Sequence, residues 1–254
     1  MLGIMNEHLD LVLEYKSLNE VSSTNDFLRN YIPSSDLTIV SASFQTKGRG
    51  QMGNTWISHV GQNALFSVLM CPCNLKATDG FVLSQAMALS IKEVLDKYVN
   101  DVHIKWPNDI YCHGEKICGT LIENTLIGKF IGRSVIGSGI NVNQVEFPNG
   151  LAAPPTSIRL QTCKEVSLEE IIRGVVERFV EYYKEVQVGN YAHIRQSYHQ
   201  HLYLKGQKCS FRDNESTFMG VISHVEPDGH LVIIDEQSNL RRYAFKEVQF
   251  VRND

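Results

Sequence analysis

Residues 102–142, VHIKWPNDIYCHGEKICGTLIENTLIGKFIGRSVIGSGINV, decide the fold class. Short apolar-rich runs at 102–105, 110–112, 117–123 and 130–142 are separated by Pro, Asn, Asp and Gly. Runs of this length and composition are strands. The linkers, of which Cys112-His113-Gly114-Glu115 is typical, are far too short for the crossover that parallel neighbours require. Consecutive strands here therefore pair antiparallel. The class is α+β, a largely antiparallel sheet with helices, and not a doubly wound parallel sheet.

Working outward, residues 63–70 (NALFSVLM) and 38–44 (TIVSASF) read as two further strands. Between 63–70 and the decisive stretch, Asp79 opens a helix with Val82, Ala86, Leu89, Ile91, Val94, Leu95 and Tyr98 broadly on one face. Nearer the start, Ser23 caps a helix whose first turn holds Asp26 and whose apolar residues are Phe27, Leu28 and Tyr31, before Pro33 closes it. Downstream, Ser167 to Glu170 (SLEE) is a capping box. It opens a helix striped by Ile172, Val175, Val176, Phe179 and Val180, and a second helical stretch covers about residues 191–202. Beyond Lys205, four or five short strands are punctuated by Asp213-Asn214, Pro227-Asp228-Gly229 and Gln237-Ser238-Asn239. They predict a small β-barrel, so the chain divides into residues 1–203 and 204–254.

The 254 residues, 43% apolar and 20% charged, describe an ordinary globular chain. No apolar run approaches the roughly 18 residues that cross a bilayer, and the acidic start is no secretory leader, so a cytoplasmic protein without membrane partners is expected. A net charge of −4 with scattered basic residues argues against nucleic acid. The six cysteines (Cys71, Cys73, Cys112, Cys118, Cys163 and Cys209) read as reduced thiols, and the Cys71-Pro72-Cys73 pair as structural. His193, His199 and His201 lack metal spacing and read as a solvated helix end.

Three segments carry chemistry. Residues 48–53, GRGQMG, satisfy a dinucleotide fingerprint, but that fingerprint needs a helix directly after it and a strand-like stretch follows. No Gly-Lys-Ser/Thr ends the run, which removes the phosphate-loop reading too. What remains is a loop with close-approach glycines beside Lys47 and Arg49. It fits an anion-binding loop, and by itself fits an ordinary surface hairpin better. Lys105-Trp106-Pro107-Asn108-Asp109 gathers an ammonium, an amide and a carboxylate on a stiff turn, suited to phosphate and Mg²⁺ or to plain turn chemistry. Lys116 then stands among apolar residues, either snorkelling or aimed into a site. The glycines of Gly137-Ser138-Gly139-Ile140-Asn141 mark either a bulge or close approach by a ligand.

Taken together and in this order, Ser23-Thr24-Asn25, Gln45 with Gly48-Arg49-Gly50 through Trp56, KWPND, Lys116-Ile117-Cys118-Gly119 and GSGINVN resemble the biotin protein ligases over nearly the whole chain. The resemblance implies a class II synthetase-like catalytic domain with a mixed sheet, followed by an SH3-like β-barrel. It implies ATP and biotin as substrates with Mg²⁺, a biotinyl-5′-AMP intermediate, and a biotin carboxyl carrier domain as partner. It further implies that Ser23, Thr24, Asn25 and Gln45 hold the biotin rings, in a pocket completed by Gly48, Gly50, Gln51, Gly119, Gly137 and Gly139. Arg49 and Lys116 meet carboxylate and phosphate, and Lys105, Asn108 and Asp109 serve phosphates and metal. Asp109 also assists the incoming amine, and Trp56 and Asn141 receive adenine. Lys116, Arg49 and Asp109 are the expected catalytic residues.

Two departures stand out. Gln51 replaces an arginine common in bacterial members, and Met52 and Asn54 replace further basic residues, so looser retention of the adenylate is expected. The Ser23-Thr24-Asn25 motif begins too early for the DNA-binding domain that some members carry ahead of it, so a ligase without repressor function is expected. Homodimerisation is an expectation of the likeness alone. Lipoate protein ligase and a non-catalytic biotinyl-AMP-binding regulator are the rival readings.

Overall fold

The computed structural model describes residues 10–151 and 153–251, so residues 1–9, read above for a leader, lie outside the described residues. The first sheet has seven strands: β1 (Leu13–Val21), β2 (Leu37–Gln45), β3 (Asn63–Met70), β4 (Val102–Lys105), β5 (Asp109–Cys112), β6 (Glu115–Ile127) and β7 (Phe130–Asn141). Their spatial order is β1-β2-β3-β7-β6-β5-β4. Every neighbouring pair is antiparallel except β1 with β2, which makes the sheet mixed. The β5–β6 hairpin turns on His113 (φ 49°) and Gly114 (φ 76°), the pair of positive φ values that matches the twist of two-residue hairpins.

Five helices accompany it: α1 (Thr24–Arg29), α2 (Phe81–Leu95), α3 (Ile158–Thr162), α4 (Leu168–Gln187) and α5 (Ala192–Gln200). The Ser23 hydroxyl accepts from the Asp26 amide and the Ser167 hydroxyl from the Glu170 amide, so both predicted caps form. Helix α2 packs on α4 and α5, and α1 lies against β2, β3 and β7. On β3 the alternate residues Ala64, Phe66, Val68 and Met70 enter the main core with α2 and α4. Leu69 joins Leu28, Val40 and Val135 in a smaller cluster with α1, and Ser67 shares that second face. This second face carries the cleft described below.

The remaining strands are β8 (Lys208–Arg212), β9 (Thr217–Val225), β10 (Leu231–Asp235), β11 (Leu240–Tyr243) and β12 (Gln249–Val251). Where an SH3-like barrel was expected, these strands form a five-stranded antiparallel sheet, order β11-β10-β9-β8-β12, with β11 and β12 at its edges. Phe211, Ile222, Leu231 and Ile233 belong to the same apolar cluster as the first sheet's helix-covered face.

Three sequence expectations need correction. The sequence reading assigns no strand to residues 13–21, yet LEYKSLNEV forms β1, polar as befits a half-exposed edge strand. On α4 it is Ile171 that is fully buried, while Ile172 lies at the margin of the core. The helix end at 199–201 is only partly solvated: His199 is half-buried and its Nε2 bonds the backbone of Val225, joining α5 to β9. All six cysteines are free, with Cys112 and Cys118 buried. No helix of the described residues is long and apolar enough to cross a membrane.

Candidate active site

A cleft of about 610 Å³ opens on the α1 face of the first sheet, and its far wall belongs to the second sheet. Its inner end is a hydrogen-bonded network built on α1. Gln45, the last residue of β2, accepts from the Thr24 backbone amide at 2.8 Å and from the Thr24 hydroxyl at 3.1 Å. The Ser67 hydroxyl of β3 stands 2.7 Å from Thr24 Oγ1 and 2.6 Å from Asn25 Oδ1. Asn25 donates from Nδ2 to the Leu121 carbonyl at 3.3 Å and to Glu123 Oε2 at 2.9 Å. Ser23, Thr24 and Asn25 are all buried. Gly137 is what lets Asn25 sit there, because a Cβ at 137 would collide with Asn25 Oδ1.

The glycine loop folds back on itself through Gly50 N to Asn54 O at 2.7 Å and Trp56 N to Gly48 O at 3.0 Å, with a 3₁₀ turn at Gln51–Gly53. No helix follows, which disposes of the dinucleotide match in structure as in sequence. The loop lays the Trp56 ring across Gly119 and Gly139, where a Cβ at 139 would enter the indole. Arg49 reaches from the loop to Glu123 at 2.5 Å and to Asp26 at 3.1 Å. Burial pushes the Glu123 carboxyl up, but the hydrogen bonds from Arg49, Asn25 and Arg29 outweigh it and hold the group below its ordinary value.

The outer end is charged. Lys116 Nζ is 2.7 Å from Asp109 Oδ1 and 5.9 Å from the centre of the Trp56 ring. Lys105 Nζ lies 5.0 Å from the ring centres of both Tyr111 and Phe250. The Asn108 side-chain amide donates to the Thr120 carbonyl and the Thr120 amide returns a bond to the Asn108 carbonyl at 3.1 Å, fixing the turn on β6. Trp106 is buried and donates from Nε1 to the Gly229 carbonyl at 2.8 Å, tying this turn to the second sheet.

Three buried polar atoms of cleft-lining residues have no partner: Arg49 Nε, Trp56 Nε1 and Gln51 Oε1. Buried polar groups are normally paired, so this wall of the cleft keeps unmet hydrogen-bonding capacity. A cleft with a hydrogen-bonding inner end and opposed charges at its mouth matches a small polar acid joined to a polyphosphate.

Comparison with known proteins agrees. The family model for the biotin/lipoate A/B protein ligases matches residues 18–141. The chain is similar to the bifunctional ligase/repressor BirA of Bacillus subtilis, 26% identical over 95% of this chain and 74% of that protein. It is similar to the biotin–[acetyl-CoA-carboxylase] ligase of Paracoccus denitrificans, 24% identical over 76% of this chain and 82% of that one. Its fold is similar to that of the Aquifex aeolicus biotin protein ligase solved with biotin and ATP. There the TM-score is 0.78 and the identity 26%, over 94% of this chain and 99% of that one. The chain belongs to the biotin protein ligase family.

Against this family's expected site, the structure brings Ser23, Thr24, Asn25, Gln45, Arg49, Gly50, Gln51 and Trp56 into one cleft with Lys105, Asn108, Asp109, Lys116, Gly119, Gly137 and Gly139. Two expected residues stand apart. Gly48 faces a separate cavity of about 570 Å³ behind the loop. Asn141 is buried beneath the sheet surface, where its amide donates to the Thr156 carbonyl at 2.9 Å and braces the chain beyond β7. Residues the sequence reading missed are Ser67, Glu123 and the wall from the second sheet, Phe245, Lys246, Val248, Gln249 and Phe250. The alternation of β6 from Gly119 through Leu121 places Glu123 on the same face, so that one was within reach of a period-two argument.

Proposed function

We propose that the chain catalyses ATP-dependent biotinylation of a lysine on a biotin carboxyl carrier domain, through biotinyl-5′-AMP. The observation that carries this reading is one cleft that joins the neutral network of Thr24, Asn25, Ser67 and Gln45 to the cations Arg49, Lys105 and Lys116. The neutral end suits the ring system of the acid, which presents amide-like donors and an acceptor. The cationic end suits the triphosphate.

In the first step a carboxylate oxygen of biotin attacks the α-phosphorus of ATP. The bond to the β-phosphate bridging oxygen breaks and pyrophosphate leaves. Carboxylate and polyphosphate repel, so the residues must bring them together and neutralise the charge that develops. Arg49 places its guanidinium beside the acid's carboxylate, and Lys116 follows the phosphoryl oxygens from its resting place on Asp109. Trp56 offers an aromatic face to the adenine, and Lys105 meets the distal phosphates.

Among the described residues that line the cleft, Asp109 is the sole carboxylate. Mg²⁺ is commonly held by one or two carboxylates together with substrate phosphates, so the residue set fits that ion, whose part is charge neutralisation. In the second step the carrier lysine's amine attacks the acyl carbon, the carbon–oxygen bond to AMP breaks, and the amine's proton passes to a base, for which Asp109 is placed.

The test is incubation with ATP, Mg²⁺, biotin and a carrier domain, read by mass spectrometry. One biotinyl group per acceptor is expected, with lipoate giving no product in a parallel arm. A carrier that gains no mass, or gains lipoyl instead, refutes the reading.

A further inference from the structure

Glu123 touches both halves of the site and has no role in the chemistry above. Its Oε2 takes Arg49 at 2.5 Å and the Asn25 amide at 2.9 Å, and its Oε1 takes Arg29 at 3.1 Å. Arg29 and Arg49 also share Asp26, at 2.9 and 3.1 Å, so two acids and two arginines close a neutral ring at the root of the glycine loop. Exposed ion pairs of this kind contribute little to stability. Here the Glu123 and Arg49 side chains are only about a third exposed (33% and 32%). Arg49 meets both acids through Nη2 alone, and the same side chain lines the cleft.

The geometry points to Glu123 as the positioning residue of this site, acting through Arg49 and Asn25 together; the assignment rests on the ligase reading given above. Arg49 rides on a glycine loop and would otherwise sample many rotamers, so a fixed carboxylate on β6 sets which edge of the guanidinium meets the substrate carboxylate. The same carboxylate fixes the Asn25 amide with its NH₂ toward β6, which leaves Oδ1 aimed at Ser67. An amide can point either way, and the acceptor at Glu123, shorter at 2.9 Å than the Leu121 carbonyl at 3.3 Å, favours this one. Ring recognition and charge handling therefore share one anchor, through a chain of contacts running Arg49, Glu123, Asn25, Ser67, Thr24 and Gln45.

The decisive experiment is a double-mutant cycle on the full chain with Glu123→Gln and Arg49→Ala. ATP–pyrophosphate exchange at saturating biotin is one readout, and biotin binding without ATP, by calorimetry, is the other. A glutamine keeps the shape but turns an NH₂ toward donors. Glu123→Gln should lower the exchange kcat about tenfold or more when Arg49 is present and less than about threefold when it is alanine. Biotin affinity should fall about tenfold in both backgrounds, through Asn25. Equal losses of kcat in the two backgrounds, or unchanged biotin affinity, overturn the assignment. Should Glu123→Gln not fold, the same cycle with Glu123→Asp decides it, an intermediate and Arg49-dependent loss being expected and an Arg49-independent one overturning it. A wild-type chain without biotin-dependent exchange would instead refute the proposed function and not this assignment alone.

Discussion

The two ends of the cleft are built on opposite principles. The inner end is neutral, buried and closed by short hydrogen bonds among Thr24, Asn25, Ser67 and Gln45. The outer end is charged and open, with Lys116 on Asp109, Lys105 over aromatic rings, and Lys246 exposed on the second sheet. A neutral network discriminates by the direction of donors and acceptors, since a misplaced group leaves a buried partner unsatisfied. An open charged end discriminates little but lowers the barrier where charge develops. The inner end should therefore govern which acid binds, and the outer end how fast it reacts.

That division makes its largest prediction at Lys116. Lys116→Ala should lower biotin-dependent pyrophosphate exchange by about 10²-fold or more while biotin affinity without ATP changes little. Near-normal exchange would remove Lys116 from the chemistry. The inner counterpart is Asn25→Ala, expected to weaken biotin binding by about 1–3 kcal/mol with kcat at saturating biotin changed much less. If both variants affect the same parameter, the two-ended description fails.

Between the two ends stands Gln51, whose Oε1 is buried without a partner. A glutamine there offers no charge to the adenylate, so the wild type should release free biotinyl-AMP when no acceptor is present. Gln51→Arg should slow that release by about tenfold, the scale of one charge-assisted hydrogen bond. Release that is undetectable in the wild type, or unchanged by arginine, would show that the loop retains its intermediate by other means.

The smallest effect concerns the scaffold. Burial lowers the His199 pKa from 6.5, against a weaker opposing contribution from its Val225 backbone bond. The unfolded chain then takes up this proton first as pH falls. The stability tied to neutral His199 is complete above 6.5 and declines as pH drops from there toward the lowered folded value. Thermal melts from pH 7.5 to 5.5 should show this decline, and His199→Gln should flatten it.

Much of the fold was legible because its signals are local. The antiparallel run 102–142 announced itself through alternation and short turns, and Ser23 and Ser167 through cap chemistry. Strand β1 was not legible, since an edge strand with a half-exposed polar face carries little periodic signal. Within the site, Lys105, Asp109 and Lys116 sit close enough in sequence for one hairpin to bring them together. Ser67 and the 245–250 wall join only through tertiary pairing, and nothing in NALFSVLM separates a catalytic-face serine from a strand serine. Asn141 went the other way: its place in a glycine-rich motif suggested a ligand, whereas the register of β7 turns its amide to Thr156.

The hydrogen bond from Trp106 to the Gly229 carbonyl bears on how the molecule melts. Trp106 lies in the turn that carries Lys105 and Asp109, and it also packs edge-on against Phe245 with ring centres 6.1 Å apart. Phe81 of α2 fills the space that a side chain at 229 would need. An apolar cluster that passes unbroken from α2 through Trp106 to Ile233 has no seam at which one part can open while the other stays closed. Heating should accordingly give a single cooperative transition, in which the charged end of the cleft persists for as long as the second sheet does and is lost with it.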